Sequence, residues 1–215
     1  MNRLGRRSAL WVVAALMATT ASAQAALFSF DLDVPVDGGP LVTVAHLTVQ
    51  DIGSDTQFTL SKTSVSAFGA TSFLTQLDLA YTGGQVPVAF TNMSGQAFKS
   101  FNVTSGAGSD AGYKTWTHEI HWETANNPDR FTDSDAGGSV FKAVGTHAAD
   151  WVTSSAFKSG VPAGANALVH IQDAGEFGSV KYVGAVPEPS AYAMLLAGLG
   201  VAGFLMRRRV QSRTA

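Results

Sequence analysis

The chain reads as an all-β protein, an antiparallel β-sandwich or jelly-roll-like single domain set between two terminal segments of different character. Three observations predict this. Between residues 24 and 185 apolar side chains recur at every second position in short stretches, and the spacers between them are rich in Gly, Ser, Asn and Asp. The chain has no cysteine, so the domain has to be held by an apolar core rather than by disulfides. Alternation of period two sends successive side chains to opposite faces of a strand, which lets one face be buried while the other stays in water.

In chain order, the first segment is basic and then apolar. Arg3, Arg6 and Arg7 precede the run Ala9–Ala18, and Ala21-Ser22-Ala23 places small residues where signal peptidase reads, so residues 1–23 are expected to be a signal peptide. Cleavage after Ala23 is the first expectation and after Ala25 the second. Arg6-Arg7 leaves twin-arginine export open beside the Sec route.

The ectodomain, residues 24–185, begins with Phe28, Phe30 and Leu32 alternating with Ser29, Asp31 and Asp33. A second strand is expected from Leu41-Val42-Thr43-Val44 through Leu47 and Val49, and a third around Phe58 and Leu60. Further candidates are Phe73–Tyr81, Pro87–Phe90, Phe98–Val103, Tyr113–Trp122, Val140–Val144, Leu168–Ile171 and Ser179–Val183. Asp37-Gly38-Gly39, Gly83-Gly84 and Ala136-Gly137-Gly138 supply turns. One helical turn is expected within His147–Phe157, anchored by Trp151 and Phe157, and Ser105–Asp110 is Gly/Ser-rich enough to read as a flexible loop.

The last segment starts at Val186-Pro187-Glu188-Pro189-Ser190, continues in the apolar run Ala191–Met206 and closes on Arg207-Arg208-Arg209. The two prolines keep the approach extended, so a helix can begin only after them. Sixteen residues at about 1.5 Å each give roughly 24 Å, short of a hydrocarbon core of about 30 Å, and arginine stems that snorkel to the headgroups make up part of the deficit. Residues 191–206 are therefore expected to be a transmembrane helix with its basic end, and the stub 210–215, in the cytoplasm. Gly198, Gly200 and Gly203 would let another membrane helix approach closely.

This order of a Pro-Glu-Pro spacer, a short apolar helix and a basic stop resembles the PEP-CTERM sorting signal over residues 186–209. The resemblance implies an exported protein of a Gram-negative bacterium whose partners are signal peptidase, the inner membrane during a transient anchored stage, and an exosortase that processes the tail. It implies final residence at the cell surface or outside the cell, in company with exopolysaccharide and biofilm matrix. Phe141-Lys142-Ala143-Val144-Gly145 and His170-Ile171-Gln172 are similar to segments found before the tail in such proteins.

Setting both signals aside changes the charge. Over Gln24–Val186 seven basic residues face fifteen acidic ones, a formal charge of −8, against −2 for the whole chain. Such a surface repels nucleic acid and anionic lipid and suits divalent cations or basic partners.

Candidate chemistry is sparse. In His118-Glu119-Ile120-His121-Trp122-Glu123 the histidines are three apart on a strand, not four apart on a helix as a zinc protease needs. Trp116, His118, Ile120 and Trp122 share one face and Thr117, Glu119, His121 and Glu123 the other. Glu119 and Glu123 then stand about 13 Å apart at their anchors, too far for a glycosidase pair, while Glu119 and His121 could join a metal site completed from another strand. Asp129, Asp133 and Asp135 have calcium-like spacing in a loop, but a bidentate Glu is missing where an EF-hand needs it, at Val144, so only a looser calcium site is left open. No Gly-x-Ser-x-Gly is present, and a thiol nucleophile is excluded. Trp116, Trp122, Tyr81, Tyr113 and Trp151 would form a sugar-stacking platform if two were exposed, or fill the core if not. The expectation is a non-enzymatic structural or interaction protein with no required cofactor. A carbohydrate-binding β-sandwich, calcium-assisted or not, is the alternative, and a glycan hydrolase stands behind it.

Overall fold

The computed structural model describes residues 25–36, 38–84, 88–110, 113–125, 128–135, 137–152, 165–184 and 199. The signal peptide, Val186–Pro189, Arg207–Arg209, Phe157 and all of the tail helix except Leu199 lie outside the described residues. Among those that are described, no helix is long and apolar enough to cross a membrane.

The described chain is all-β. Its strands are β1 (Leu27–Leu32), β2 (Val34–Pro35), β3 (Ala45–Ile52), β4 (Asp55–Lys62), β5 (Phe73–Leu79), β6 (Phe90–Gly95), β7 (Ser100–Asp110), β8 (Tyr113–His121), β9 (Ser139–Ala143), β10 (Ala167–Gln172) and β11 (Ser179–Gly184). They form two antiparallel sheets, ordered β1-β3-β4-β9-β6 and β2-β11-β10-β5-β8-β7. Three short 3₁₀ turns, Ser66–Phe68, Ala148–Trp151 and Gly175–Phe177, complete the elements. The helical turn expected within His147–Phe157 is the second of these.

Alternation does what the pattern requires. In β3 as far as Val49 and throughout β4 every second residue is buried, so Leu47, Val49, Phe58 and Leu60 point inward while His46, Thr48, Gln57, Thr59 and Ser61 lie on the outer face. One apolar cluster draws on both sheets: Phe30, Leu47, Phe58 and Phe141 from the first meet Leu77, Ile120, Val169 and Tyr182 from the second. Phe58 stacks on Phe141, its register partner, with centroids 5.1 Å apart, and Trp151 meets Phe58 edge-on at 5.2 Å. Burying rings of this size is the chief stabilising term available to a chain without disulfides.

The chain passes between the sheets at Asp33. β1 belongs to the first sheet and β2 to the second, and the Asp33 N–H donates to the Val183 carbonyl at 3.3 Å. Here Gly184 is required for space: a Cβ on it would lie 2.3 Å from the Asp31 carbonyl oxygen. Pro35, which lacks an N–H, sits in the edge strand β2, where it blunts that edge.

Four expectations need correction. Leu41–Val44 is not strand; pairing starts at Ala45. The strand expected over Pro87–Phe90 instead begins at Phe90 and runs to Gly95, a polar and exposed edge strand whose only inward residue is Phe90. Thr91-Asn92-Met93-Ser94 carries no alternation of apolar and polar residues because none of its side chains is buried. Ser105–Asp110 is not a loop but the second half of β7, which pairs with β8 through two register shifts. Finally, Trp116 is buried but leaves the face it was expected to share. It packs with Ala80, Ala165, Leu168 and Val183 in a second, smaller cluster, while Ile120 and Trp122 enter the main core.

Candidate functional site

The inward face of β8 places His118 in a cage of rings. Its imidazole centroid is 5.0 Å from Trp151, 5.5 Å from Phe90 and 5.8 Å from Tyr81, and the residue is fully buried. Nδ1 lies 2.8 Å from the Thr117 hydroxyl, whereas Nε2 has no hydrogen-bond partner among the described residues. Burial pushes the imidazole down to about 4, because an imidazolium here would lose its water.

The outward face of β8 carries the expected metal candidates, and each has another occupation. His121 Nε2 is 3.6 Å from Glu119 and 3.3 Å from the Asn102 amide. Glu123 turns away to Lys99 at 2.8 Å and accepts the Thr124 and Ala125 N–H groups; the Lys99 contact first, then the amides, hold its carboxyl at about 2. In the acidic loop, Asp135 Oδ2 accepts from the Thr132 N–H at 2.7 Å and from the Thr132 hydroxyl at 3.2 Å, a side chain closing its own turn. Gly138 ends that turn at φ +63, with its N–H on the Asp135 carbonyl. Asp133 is held below its ordinary range by the Ser64 hydroxyl and then by the Lys62 ammonium. The Asp129 carbonyl accepts from the Gln96 amide. Among the described residues, no group of three or more His, Asp or Glu side chains is gathered in a way that could hold a metal ion.

Four of the five aromatics proposed as a platform, Trp116, Trp122, Trp151 and Tyr81, are buried. The side chain of Tyr113 lies outside what is described.

The most ordered polar constellation is on the outer face of β1 and β3, where the sequence pattern singled out nothing. Asp31 stands opposite His46, and Ser29 stands opposite Thr48. His46 Nδ1 is 2.7 Å from Asp31 Oδ1, and His46 Nε2 is 2.7 Å from Ser29 Oγ. With Nδ1–H donating to the carboxylate, Nε2 is left as the acceptor for the serine hydroxyl. Thr48 Oγ1 lies 3.2 Å from the same Ser29 Oγ. The His46 and Asp31 side chains are about half exposed, 45% and 51%. Alternation had assigned Ser29 and Asp31 to a polar face. Only the β1–β3 register brings His46 between them.

Comparison with known proteins speaks to the tail. A family model described as the PEP-CTERM protein-sorting motif matches residues 185–209. The chain carries a PEP-CTERM sorting motif. No curated protein and no solved structure matches the chain. The PEP-CTERM motif implies export, membrane-anchored sorting and an exosortase as the processing partner. β11 ends at Gly184, so the matched motif begins directly after the last of the described strands.

Proposed function

We propose that this is an exported, exosortase-processed protein of the cell surface or extracellular matrix, with a structural or interaction role beside exopolysaccharide. The observation that carries the reading is the PEP-CTERM motif at residues 185–209. The ectodomain is then an antiparallel β-sandwich delivered to the outside, a reading supported by the single apolar cluster that both sheets share. Its acidity, −8 over Gln24–Val186, suits a soluble surface component that stays clear of nucleic acid and anionic lipid. A cysteine-free core suits a compartment where thiols would be oxidised.

The route follows from the termini. Signal peptidase removes residues 1–23, the 191–206 segment holds the chain transiently in the inner membrane, and exosortase acts at the Pro-Glu-Pro element. Mass spectrometry of protein released from the surface should find a C-terminus near Pro187–Ser190. Mature material that retains Arg207–Arg209 would overturn the reading.

A further inference from the structure

We propose that Ser29 is a nucleophile toward small acyl esters, with His46 as its general base and Asp31 as the residue that positions the imidazole. The geometry is that of a serine–histidine–carboxylate relay, which is identified by atoms and roles and not by chain order or fold. The Ser29 hydroxyl is 2.7 Å from Nε2, the nitrogen left basic when Nδ1–H is held by Asp31, also at 2.7 Å. A polar cross-strand ladder would be satisfied by any contact to the ring. Here the two nitrogens are divided between a carboxylate and a hydroxyl in the sense that nucleophile activation requires.

The edge position of β1 adds a donor. Asp51 N–H donates to the Ala26 carbonyl at 3.0 Å, so in the Leu27↔Gln50 register it is residues 28, 30 and 32 that exchange backbone hydrogen bonds with β3. The Ser29 N–H is therefore turned away from β3, to the side on which β1 has no strand partner among the described residues. That N–H, on the nucleophile's own residue, is the donor available to a developing oxyanion.

The reaction balances with water as the only co-reactant. Ser29 Oγ bonds to the acyl carbon as its proton passes to His46 Nε2. The ester C–O bond then breaks, and the departing alkoxide takes that proton, leaving an acyl-serine and a free alcohol. Water, deprotonated by His46, attacks the acyl-serine, releasing the carboxylic acid and restoring Ser29. Among the described residues, the neighbours of Ser29 on this face, Asp31, His46 and Thr48, are polar and offer nothing to bury a long acyl chain. Thr48 lies beside Thr59 in register, and Ser61 lies beside His46, so three hydroxyls, those of Thr48, Thr59 and Ser61, stand near a hydroxylated alcohol portion. The substrate class is thus a short acyl ester of a hydroxylated carrier. This goes beyond the export reading and does not rest on it, since the chemistry is tested on the purified chain wherever the cell sends it.

The test uses the full chain in detergent, a fluorophosphonate probe with peptide mapping, and p-nitrophenyl acetate hydrolysis. Ser54 is the internal reference, an exposed serine whose hydroxyl meets Asp55 at 3.5 Å. Ser29 should be labelled faster than Ser54. Ser29→Ala should abolish the adduct and the hydrolysis, and His46→Gln should lower both by about 10²-fold or more, the range of general-base catalysis. Asp31→Asn keeps the shape but loses the carboxylate that sets the tautomer, and should lower the rate by a similar factor with an unchanged thermal melt. If Ser29 is labelled no faster than Ser54 and forms no acetyl adduct, the proposal falls. An unchanged rate in His46→Gln or Asp31→Asn would overturn the three-residue assignment.

Discussion

His46 on β3 and His118 on β8 occupy strands of the same alternating kind and differ in which face they take. On the outer face, His46 has one nitrogen on Asp31 and the other on Ser29, and its side chain is about half exposed. On the inner face, His118 has one nitrogen on Thr117 and the other among rings, and its imidazole is driven to about 4. The comparison teaches that the face decides what a histidine can do. Outside, it can exchange protons as part of a relay; inside, it is a neutral aromatic wedge whose protonation opposes folding.

The largest effect should come from uncovering the inner histidine. Trp151 packs on Phe58, Tyr81, Phe90 and His118, and its indole N–H donates to Thr146 at 3.0 Å. Trp151→Ala should destabilise the domain by about 3–5 kcal/mol in urea titration at pH 7. A loss under about 1 kcal/mol would mean that the cage does not hold the two sheets together.

Next in size is the pH dependence. The unfolded chain protonates His118 near 6.5 and the folded chain only near 4, so the unfolded state binds more protons between those values. Stability is complete above about 6.5 and falls as the pH drops toward 4, by up to about 3 kcal/mol. Tyr81, the titratable neighbour in the cage, has its phenol raised by burial and stays neutral throughout. His118→Phe should flatten the slope in this window; a slope that survives would place the titration elsewhere. Glu123 acts lower down: with its carboxyl held at about 2 against 4.5, its contribution is present above 4.5 and is lost as the pH falls toward 2. Lys99→Met should therefore blunt only this second, more acidic limb.

The smallest effect on folding should come from the outer face. His46→Gln removes a half-exposed side chain and should change stability by no more than about 0.5 kcal/mol, while ending the reactivity of Ser29. A large stability loss in this variant would make the Asp31–His46–Ser29 chain a structural brace.

Much of the fold was legible because alternation is a local property. Phe28, Phe30 and Leu32, or Leu47 and Val49, announce an inward face without knowledge of any partner, and His118, Ile120 and Trp122 are buried as the spacing implies, whereas Trp116 is buried in the other cluster. Elements that bury little were harder to see. β6 exposes every residue after Phe90, and the second half of β7 is built from Gly, Ala and Ser that resemble a loop until β8 pairs with them. The acidic loop shows the opposite error. Asp133 and Asp135 have a ligand-like spacing, yet one faces Ser64 and Lys62 and the other closes its own turn. Spacing along the chain cannot tell which way a loop carboxylate turns.

By itself, the sequence determined the β class, the absence of disulfides, the acidity of Gln24–Val186 and the sorting motif, because each depends on residues close together in the chain. Tertiary structure alone decided how the strands divide between two sheets, how Trp116 leaves its neighbours for a second cluster, and how His46 comes to lie between Ser29 and Asp31. The reason is register. A slip of one residue between β1 and β3 would leave the apolar composition unchanged but send His46 to the wrong face, and that register is chosen by long-range packing of Phe30, Leu47 and Phe58, not by any local motif.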